Sequence, residues 1–266
     1  MKIVVCVKQV PEVTNVQVDP KTGTLIREGV KSILNPFCEY ALDHAVRIKH
    51  SVTGVSITVI TMGPPQAKDV LVRSLELGAD EGILITDRKF AGADTWATSL
   101  TLAQAIRTVV PDFELVLVGK QAIDGDTAQV GPEIAEILGL PQITYGVDVA
   151  LSNNRRQIRV TQEVEKGYEV TEASLPALVT CSKGEVVRRA PSFKDVLTAR
   201  TKPIRIVSAN DLDIPEEQLG LQGSYTQVVK VFPPPAKKSN LLLQNLEAAD
   251  AAREILAFLK EKRFVE

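Results

Sequence analysis

The sequence predicts an α/β protein: a doubly wound, mostly parallel sheet with a few antiparallel strands, and an extended C-terminal arm that ends in a helix. Up to Pro141, short apolar runs alternate with amphipathic segments of helical period. The apolar runs have no polar face, which is typical of parallel strands covered by helices on both sides. Residues 151–181 change to short alternating runs between turn residues, which indicates two or three antiparallel strands.

The first elements follow from local signals. Ile3–Val7 is a buried-strand pattern, and Val16–Arg27 alternates around a Pro-Lys-Thr-Gly turn as a hairpin does. Asn35 is a good N-cap and Pro36 suits the first helical position, so a helix is expected to begin there. Val55–Met62 is the next predicted strand, and a Gly-Pro-Pro sequence ends it.

The next elements continue the alternation. A helix is predicted over Gln66–Leu77, with Gly78 as a left-handed terminator. Gly82–Thr86 is a predicted strand, Asp94–Val110 a helix, and Leu115–Val118 a strand. Sheets of this kind bind ligands at the carboxyl ends of their strands.

The most informative segment is the polar loop and helix after this last strand, GKQAIDGDTAQVGPEIAEIL. Asp126 and Gln129 have the spacing of a capping box, so we expect a helix to begin near Thr127 and to present free amides to an anion. Gly125 removes a side chain where a ligand would approach the backbone. The loop therefore predicts a phosphate cradle, and an ordinary polar turn is the alternative. Pro132 implies either a distorted first turn or a later helix start, because proline lacks an amide.

Segments near four strand ends are expected to converge on one crevice, because parallel strands end at the same edge of a sheet. They are Cys6–Gln9, Asn35–Cys38, Met62–Pro65 and Gly119–Val130. A ligand bound there would contact residues from all four segments.

Composition excludes several classes of function. The 266 residues are 44% apolar and 24% charged with a net charge of −2, as in an ordinary soluble globular protein. We expect no nucleic acid partner, no membrane span and no signal peptide, because neither a basic block nor a long apolar run is present. The cysteines (Cys6, Cys38 and Cys181) and the histidines (His44 and His50) lack the spacing of a metal site. A cytoplasmic protein without a metal is therefore expected.

The C-terminal part is expected to serve a partner. We predict a nucleotide-binding domain over residues 1–190 and a recognition loop and arm over residues 191–266 that packs on another subunit. The arm contains a proline-rich linker and a terminal helix from about Leu246 to Lys262. Folding of this segment back onto its own domain is the alternative.

Several segments together resemble the beta subunit of electron-transfer flavoproteins. They are Gly119–Pro141, the opening VVCVKQVPEV, the helix start LNPFCEYAL and the segment TMGPPQAKDVLVRSLELGADEGILI. The segment VTQEVEKGYEVTEASLPALVTC approximates the second signature of the family, with Gln162 in place of a basic residue and Lys166 in place of Gly or an acid. The resemblance implies a fold like that of adenine-nucleotide hydrolases and pairing with an alpha subunit.

The resemblance also implies a set of nucleotide contacts. The matching positions are Cys6, Asn35, Pro36, Phe37, Cys38, Met62, Gly119, Lys120, Gln121, Ala122, Ile123, Asp124, Gly125, Asp126, Thr127, Ala128, Gln129 and Val130. The amides of Ala128–Val130 would meet phosphate, while Asn35 and the backbones of Cys6 and Met62 would line the adenosine.

Other polar residues near the crevice are expected to have different roles. Asp124 and Asp126 would cap the loop, because like charges repel an anionic ligand. Lys8 and Gln9 are the nearest candidates for polar contact with a flavin ring. No side chain is expected to be catalytic, so the subunit would not be an enzyme alone.

The identity of the nucleotide depends on one feature of the loop. The form DGDTAQVGP resembles electron-bifurcating members of the family, whose beta subunit binds a second FAD. In those members NADH reduces this FAD, which passes electrons to ferredoxin or flavodoxin and, through the alpha-bound FAD, to an acyl-CoA or hydroxy-acid (lactate-type) flavin dehydrogenase. The alternatives are a non-bifurcating electron carrier with structural AMP and a non-redox adenine-nucleotide binding module.

The stretch around Phe193 matches the recognition loop of the family, in which an apolar side chain docks into the partner dehydrogenase. Phe193 follows Arg189 and other basic residues. An apolar anchor ringed by polar residues is typical of an interaction hot spot. A Phe193 that faces the core is the alternative.

Overall fold

The computed structural model describes residues 1–12, 31–184, 190–229 and 242–265. The chain divides into two compact units, one of Met1–Gln17 with Leu25–Val229 and one of Val18–Thr24 with Lys230–Glu266. The hairpin predicted over Val16–Arg27 and the side chain of Arg189 lie outside the described residues.

Strands and helices alternate along the first unit. The strands are β1 (Lys2–Cys6), β2 (Gln9–Pro11), β3 (Ser32–Leu34), β4 (Ser56–Met62), β5 (Glu81–Ile85), β6 (Leu115–Gly119), β7 (Gln142–Leu151), β8 (Gln157–Val164), β9 (Gly167–Ser174), β10 (Ala177–Cys181) and β11 (Ile204–Val207). The helices are α1 (Pro36–Ser51), α2 (Lys68–Glu76), α3 (Thr95–Val109), α4 (Val130–Leu138) and α5 (Phe193–Ala199), and α6 (Ala248–Glu261) belongs to the second unit.

Nine of these strands form one sheet in the order β11-β5-β4-β1-β6-β10-β7-β8-β9. The pairs from β11 to β7 are parallel, whereas β7, β8 and β9 pair antiparallel. Strands β2 and β3 form a separate antiparallel pair. The predicted fold class, a mostly parallel sheet with an antiparallel extension, is confirmed.

Apolar side chains bury both faces of the sheet. Ala41 and Ala45 of α1 belong to the cluster on one face, and Ala103 and Ile106 of α3 belong to the cluster on the other. Small and branched side chains at helical spacing allow the helices to lie close to the strands. This double coverage explains why the central strands have no polar face.

Two elements differ from the sequence-based expectation. The helix predicted over 66–77 begins as a 3₁₀ turn, Pro65–Ala67, and continues as α2. Gly78, the predicted terminator, follows the C-cap residue of this helix with a positive φ of 126°, and the amides of Gly78 and Ala79 donate to the carbonyls of Leu75 and Ser74, so the helix ends there as predicted. The segment Ile204–Val207, expected to belong to the arm, pairs with β5 as an edge strand of the sheet.

Two further observations concern membranes and metal ions. None of the helices in the described ranges combines the length and the apolar character that a membrane crossing requires. Among the described side chains, no group of three His, Cys, Asp or Glu residues is placed to hold a metal ion.

Candidate functional site

The four segments predicted to converge meet at the carboxyl ends of β1, β4 and β6. The Asn35 side chain is hydrogen-bonded to Gln121 and Ile123 of the loop after β6. The Lys8 ammonium, just after β1, is paired with a carboxylate of the same loop. Gln9 Nε2 donates to the carbonyl of Gln66, one residue beyond the segment Met62–Pro65, at 3.2 Å. These contacts bring Cys6–Gln9, Asn35–Cys38 and Gly119–Val130 together as predicted, and Met62–Pro65 adjoins them through its neighbour Gln66.

Asn35 occupies the N-cap position of α1 but does not cap the helix with its side chain. Its Nδ2 donates to the carbonyl of Gln121 at 2.8 Å and to Cys38 Sγ at 3.2 Å. Its Oδ1 accepts a bond from the amide of Ile123 at 3.2 Å, and the residue is 1% exposed. These bonds use both N–H donors of the side-chain amide. Asn35 therefore shapes the crevice by holding the loop in place.

The close approach of α1 to the end of β6 requires a glycine at position 119. A Cβ at Gly119 would lie 2.8 Å from the amide nitrogen of Cys38 and 2.8 Å from the carbonyl carbon of Phe37. The first turn of α1, which contains the predicted residues Pro36, Phe37 and Cys38, therefore packs directly on the strand end. The N-terminus of α1 thus faces the same crevice as the loop.

Lys120 opens the loop and is held between two aromatic rings. Its Nζ lies 5.0 Å from the centroid of Phe37 and 5.4 Å from the centroid of Tyr145. Tyr145 has φ of 55° and donates its amide to Thr180 Oγ1 at 2.9 Å. Sequence reasoning missed Tyr145, because it stands within an ordinary strand pattern and nothing in its neighbours indicates a left-handed residue.

The loop does not contain the predicted capping box. Asp126 has φ of 55°, and its carboxylate accepts a bond from Gln121 Nε2 within the loop. Helix α4 begins at Val130 with Gln129 at the N-cap position and no side-chain cap. The expectation of a helix start near Thr127 is therefore wrong, and the later start anticipated from Pro132 is the observed one. Pro132 is the third helical residue, where an amide has no intrahelical partner in any case.

Five consecutive amides at the start of α4 are free. The amides of Thr127–Gly131 donate to no acceptor in the described part of the chain. Ala128 is left-handed, with φ of 56°, and Gln129 follows with φ of −98° and ψ of −37°. A left-handed residue followed by a right-handed one turns successive amides toward one point, and this concavity binds anions. The dipole of α4 adds to the same positive potential.

The first turn of α4 is fixed from the side by α3. Glu133 accepts hydrogen bonds from Thr95 Oγ1 at 3.0 Å and from Ser99 Oγ at 2.7 Å. Gly131 packs against the sheet, because a Cβ there would lie 2.7 Å from Thr180 Cγ2. The direction of the free amides is therefore set by rigid elements on both sides.

Neither the packing nor the backbone conformation of the described fold requires a glycine at position 125. A Cβ at this position would meet nothing within 4 Å, and its φ lies outside the left-handed range. The described part of the fold therefore places no steric demand on residue 125.

The buried thiols in the crevice are poor nucleophiles. Burial raises the pKa of Cys6 to about 12 and also raises the pKa of Cys38. Hydrogen bonds to Cys38 from Asn35 and from the amides of Lys8 and Gly119 oppose that rise. Thiols that remain protonated at neutral pH line a ligand but do not attack it.

A cavity of about 360 Å³ lies elsewhere, between α1, α2 and the residues before α5. Its lining mixes apolar side chains such as Leu42 and Leu77 with carboxylates such as Asp43 and Glu76. Carboxylates disfavour an anion, whereas the free amides after β6 favour one. The candidate site is therefore the crevice at the carboxyl ends of the strands.

Phe193 is the first residue of α5 and is 79% exposed, so the alternative of a core-facing Phe193 is wrong. A capping box fixes this helix: Asp195 donates its amide to Ser192 Oγ at 3.2 Å, and Ser192 donates its amide to the Asp195 carboxylate at 2.8 Å. Leu197, one turn later, is 47% exposed. Phe193 belongs to an element separate from the crevice.

Comparison with known proteins gives a consistent result. Residues 22–212 match the model of the electron transfer flavoprotein domain. The chain is 45% identical to the caffeyl-CoA reductase-Etf complex subunit CarD of Acetobacterium woodii and 45% identical to the electron transfer flavoprotein subunit beta of Clostridium acetobutylicum, over 100% of both chains in each case. It is 39% identical to the acryloyl-CoA reductase electron transfer subunit gamma of Anaerotignum propionicum, over 93% of this chain and 94% of that protein.

Proposed function

The chain belongs to the electron transfer flavoprotein family as a beta-type subunit, and from that premise we propose that its crevice binds FAD in a heterodimer with an alpha subunit. Electrons from NADH would be divided between ferredoxin or flavodoxin and, through the FAD of the alpha subunit, an acyl-CoA or hydroxy-acid dehydrogenase. The observation that carries nucleotide binding is the run of free amides at Thr127–Gly131. Family membership removes the alternative of a non-redox nucleotide-binding module.

The residues of the crevice fit the phosphates of a nucleotide. The converging amides of Ala128–Val130 would hold the pyrophosphate without a cationic side chain. Asn35 and Glu133 keep the loop and the start of α4 in place from two sides. When bound, FAD supplies hydride acceptance and single-electron transfer, and the chain binds it, orients it and limits the access of water.

FAD is favoured over AMP by the open space at Gly125, where the fold itself has no need of a glycine. An aspartate there would place a negative charge beside a pyrophosphate. The names of two relatives also associate this subunit type with reductases of caffeyl-CoA and acryloyl-CoA. These names support an acyl-CoA dehydrogenase as the partner in this case.

Phe193 is proposed to anchor that dehydrogenase. Its exposed ring and the exposed Leu197 one turn later form an apolar patch on a short, capped helix. Such a patch is a suitable hot spot for a protein partner.

The cytoplasm is the proposed location, because the three cysteines are free thiols.

Anaerobic titration with NADH tests the proposal. The heterodimer of this chain with its alpha subunit is titrated with NADH while flavin absorbance and the reduction of added ferredoxin are followed. We expect NADH to reduce a beta-bound flavin and to drive ferredoxin reduction in the presence of the dehydrogenase and its oxidised substrate. Absence of NADH-dependent flavin reduction would contradict the proposal.

A pair of variants at one position supplies the matched control. Gly125→Asp is expected to lose the beta-bound FAD, because its charge faces the pyrophosphate. Gly125→Ala is expected to keep it, because a Cβ there meets no protein atom within 4 Å. Equal FAD content in both variants would contradict the role of this position in selecting the nucleotide.

A further inference from the structure

Lys8 and Asp124 form an ion pair between the end of β1 and the loop after β6. Lys8 Nζ lies 2.8 Å from Asp124 Oδ1 and 3.0 Å from Oδ2. The backbone of Lys8 is fixed, because its carbonyl accepts a bond from the amide of Asn35 at 2.9 Å and it follows a buried strand. The lysine therefore reaches the loop from a rigid point.

This pair holds a part of the loop that Asn35 does not reach. Asn35 bonds to Gln121 and Ile123, in the first half of the loop. Between Ile123 and the start of α4, Asp124 is the only described residue whose side chain bonds to another element. The free amides begin three residues later, at Thr127.

The charged side chains around the crevice are already engaged with the protein. Asp126 is bonded to Gln121, and Glu133 is bonded to two hydroxyls of α3. Lys120 lies between two aromatic rings. With the Asp124 carboxylate on Lys8, the backbone amides of Thr127–Gly131 remain as donors for an anion.

We propose that Lys8 and Asp124 are a positioning pair, which holds the loop so that the amides of Thr127–Gly131 face the ligand, and that neither side chain contacts the phosphates. The inference rests on the proposed nucleotide binding. It differs from a role of Lys8 as a direct partner of the anion or of the flavin ring. Loss of either member would release the same tether, so the two losses should have the same sign and should not add.

Release of nucleotide from the full-length chain tests this proposal. The probes are AMP and FAD, each loaded separately, and the release rate is followed after rapid dilution. The variants are Lys8→Met, Asp124→Ala and the double variant. Lys2→Met and Asp112→Ala are matched controls, because that ion pair, at 2.7 Å with side chains 48% and 64% exposed, lies at the amino end of β1, on the opposite edge of the sheet.

The proposal predicts that each single variant releases the bound nucleotide about two- to five-fold faster, as expected for a partly exposed ion pair, and that the double variant is no faster. The Lys2 and Asp112 variants and the melting temperature of the ligand-free chain should be unchanged. Slower release from Asp124→Ala with wild-type release from the double variant would overturn it, because that pattern means that Lys8 contacts the anion directly. Unchanged release in all variants would overturn it as well. Failure of the wild-type chain to bind either probe, both alone and together with its alpha subunit, would instead contradict the proposed function.

Discussion

Replacement of Gly119 by alanine tests whether the contact between α1 and the end of β6 builds the crevice. The new Cβ would lie 2.8 Å from two backbone atoms of α1, the nitrogen of Cys38 and the carbonyl carbon of Phe37. Ordinary contact begins at 3.4 Å, so the helix would have to move by about 0.6 Å. Because the obstacle is backbone, no side-chain rotation relieves it.

The size of the effect follows from this overlap. Overpacking by one methyl group in a tight site costs about 1–3 kcal/mol, and the rigid first turn, with Pro36 at its start, puts Gly119→Ala in the upper part of that range. We expect the free energy of unfolding to fall by about 2–3 kcal/mol. Displacement of α1 would also lengthen the bonds from Asn35 to the loop, so nucleotide affinity should fall by about tenfold.

Urea unfolding and nucleotide titration measure the two effects. Gly125→Ala is the control in the same loop, because its Cβ meets no atom within 4 Å, and it should match the wild type in stability to within about 0.5 kcal/mol. A Gly119→Ala chain as stable as the Gly125→Ala chain would refute the reasoning. Loss of stability with unchanged nucleotide affinity would refute only the link between α1 and the loop.

Two other predictions concern different parts of the chain. Phe193→Ala should leave the flavin content intact and slow electron transfer to the partner dehydrogenase, because the exposed ring is its proposed anchor; unchanged transfer rates in stopped-flow experiments would contradict this role. His44 is fully buried, neither ring nitrogen is hydrogen-bonded to any described residue, and burial lowers its pKa from 6.5 to about 4. The unfolded chain therefore protonates the imidazole at a higher pH than the folded chain does. As the pH falls from about 6.5 toward 4, the free energy of unfolding decreases by about 3 kcal/mol. Urea unfolding measures the free energy of unfolding of the wild type and of His44→Leu. The difference between the two should grow in favour of His44→Leu on acidification, and a difference independent of pH would contradict the prediction.

The sequence predicted the elements whose signals are local. The helix start at Asn35-Pro36 and the strand Ser56–Met62 lie within one residue of their predicted positions. The antiparallel strands β8 and β9 follow from alternation around turn residues. The edge strand Ile204–Val207 was missed, because a short strand with two exposed residues has little pattern of its own.

The candidate site was predictable in outline and not in detail. The D-x-x-Q spacing of Asp126 and Gln129 indicates a cap only if the chain between them is helical, and the left-handed backbone of Asp126 and Ala128 prevents this. The bonds of Asn35 join residues 86 and 88 positions apart, which no local pattern contains. The strand order around β6 is equally non-local, so it sets the crevice without a signal in neighbouring residues.

The central claim is that the free amides after β6 hold the pyrophosphate of an FAD. The most direct measurement is quantitative chromatography of the nucleotides released by denaturing this subunit after purification with its alpha partner. The account predicts about two FAD per heterodimer and no AMP, since the FAD in each subunit has its own task. About one FAD with one AMP would contradict the account and would make this subunit part of a simple electron carrier with a structural nucleotide.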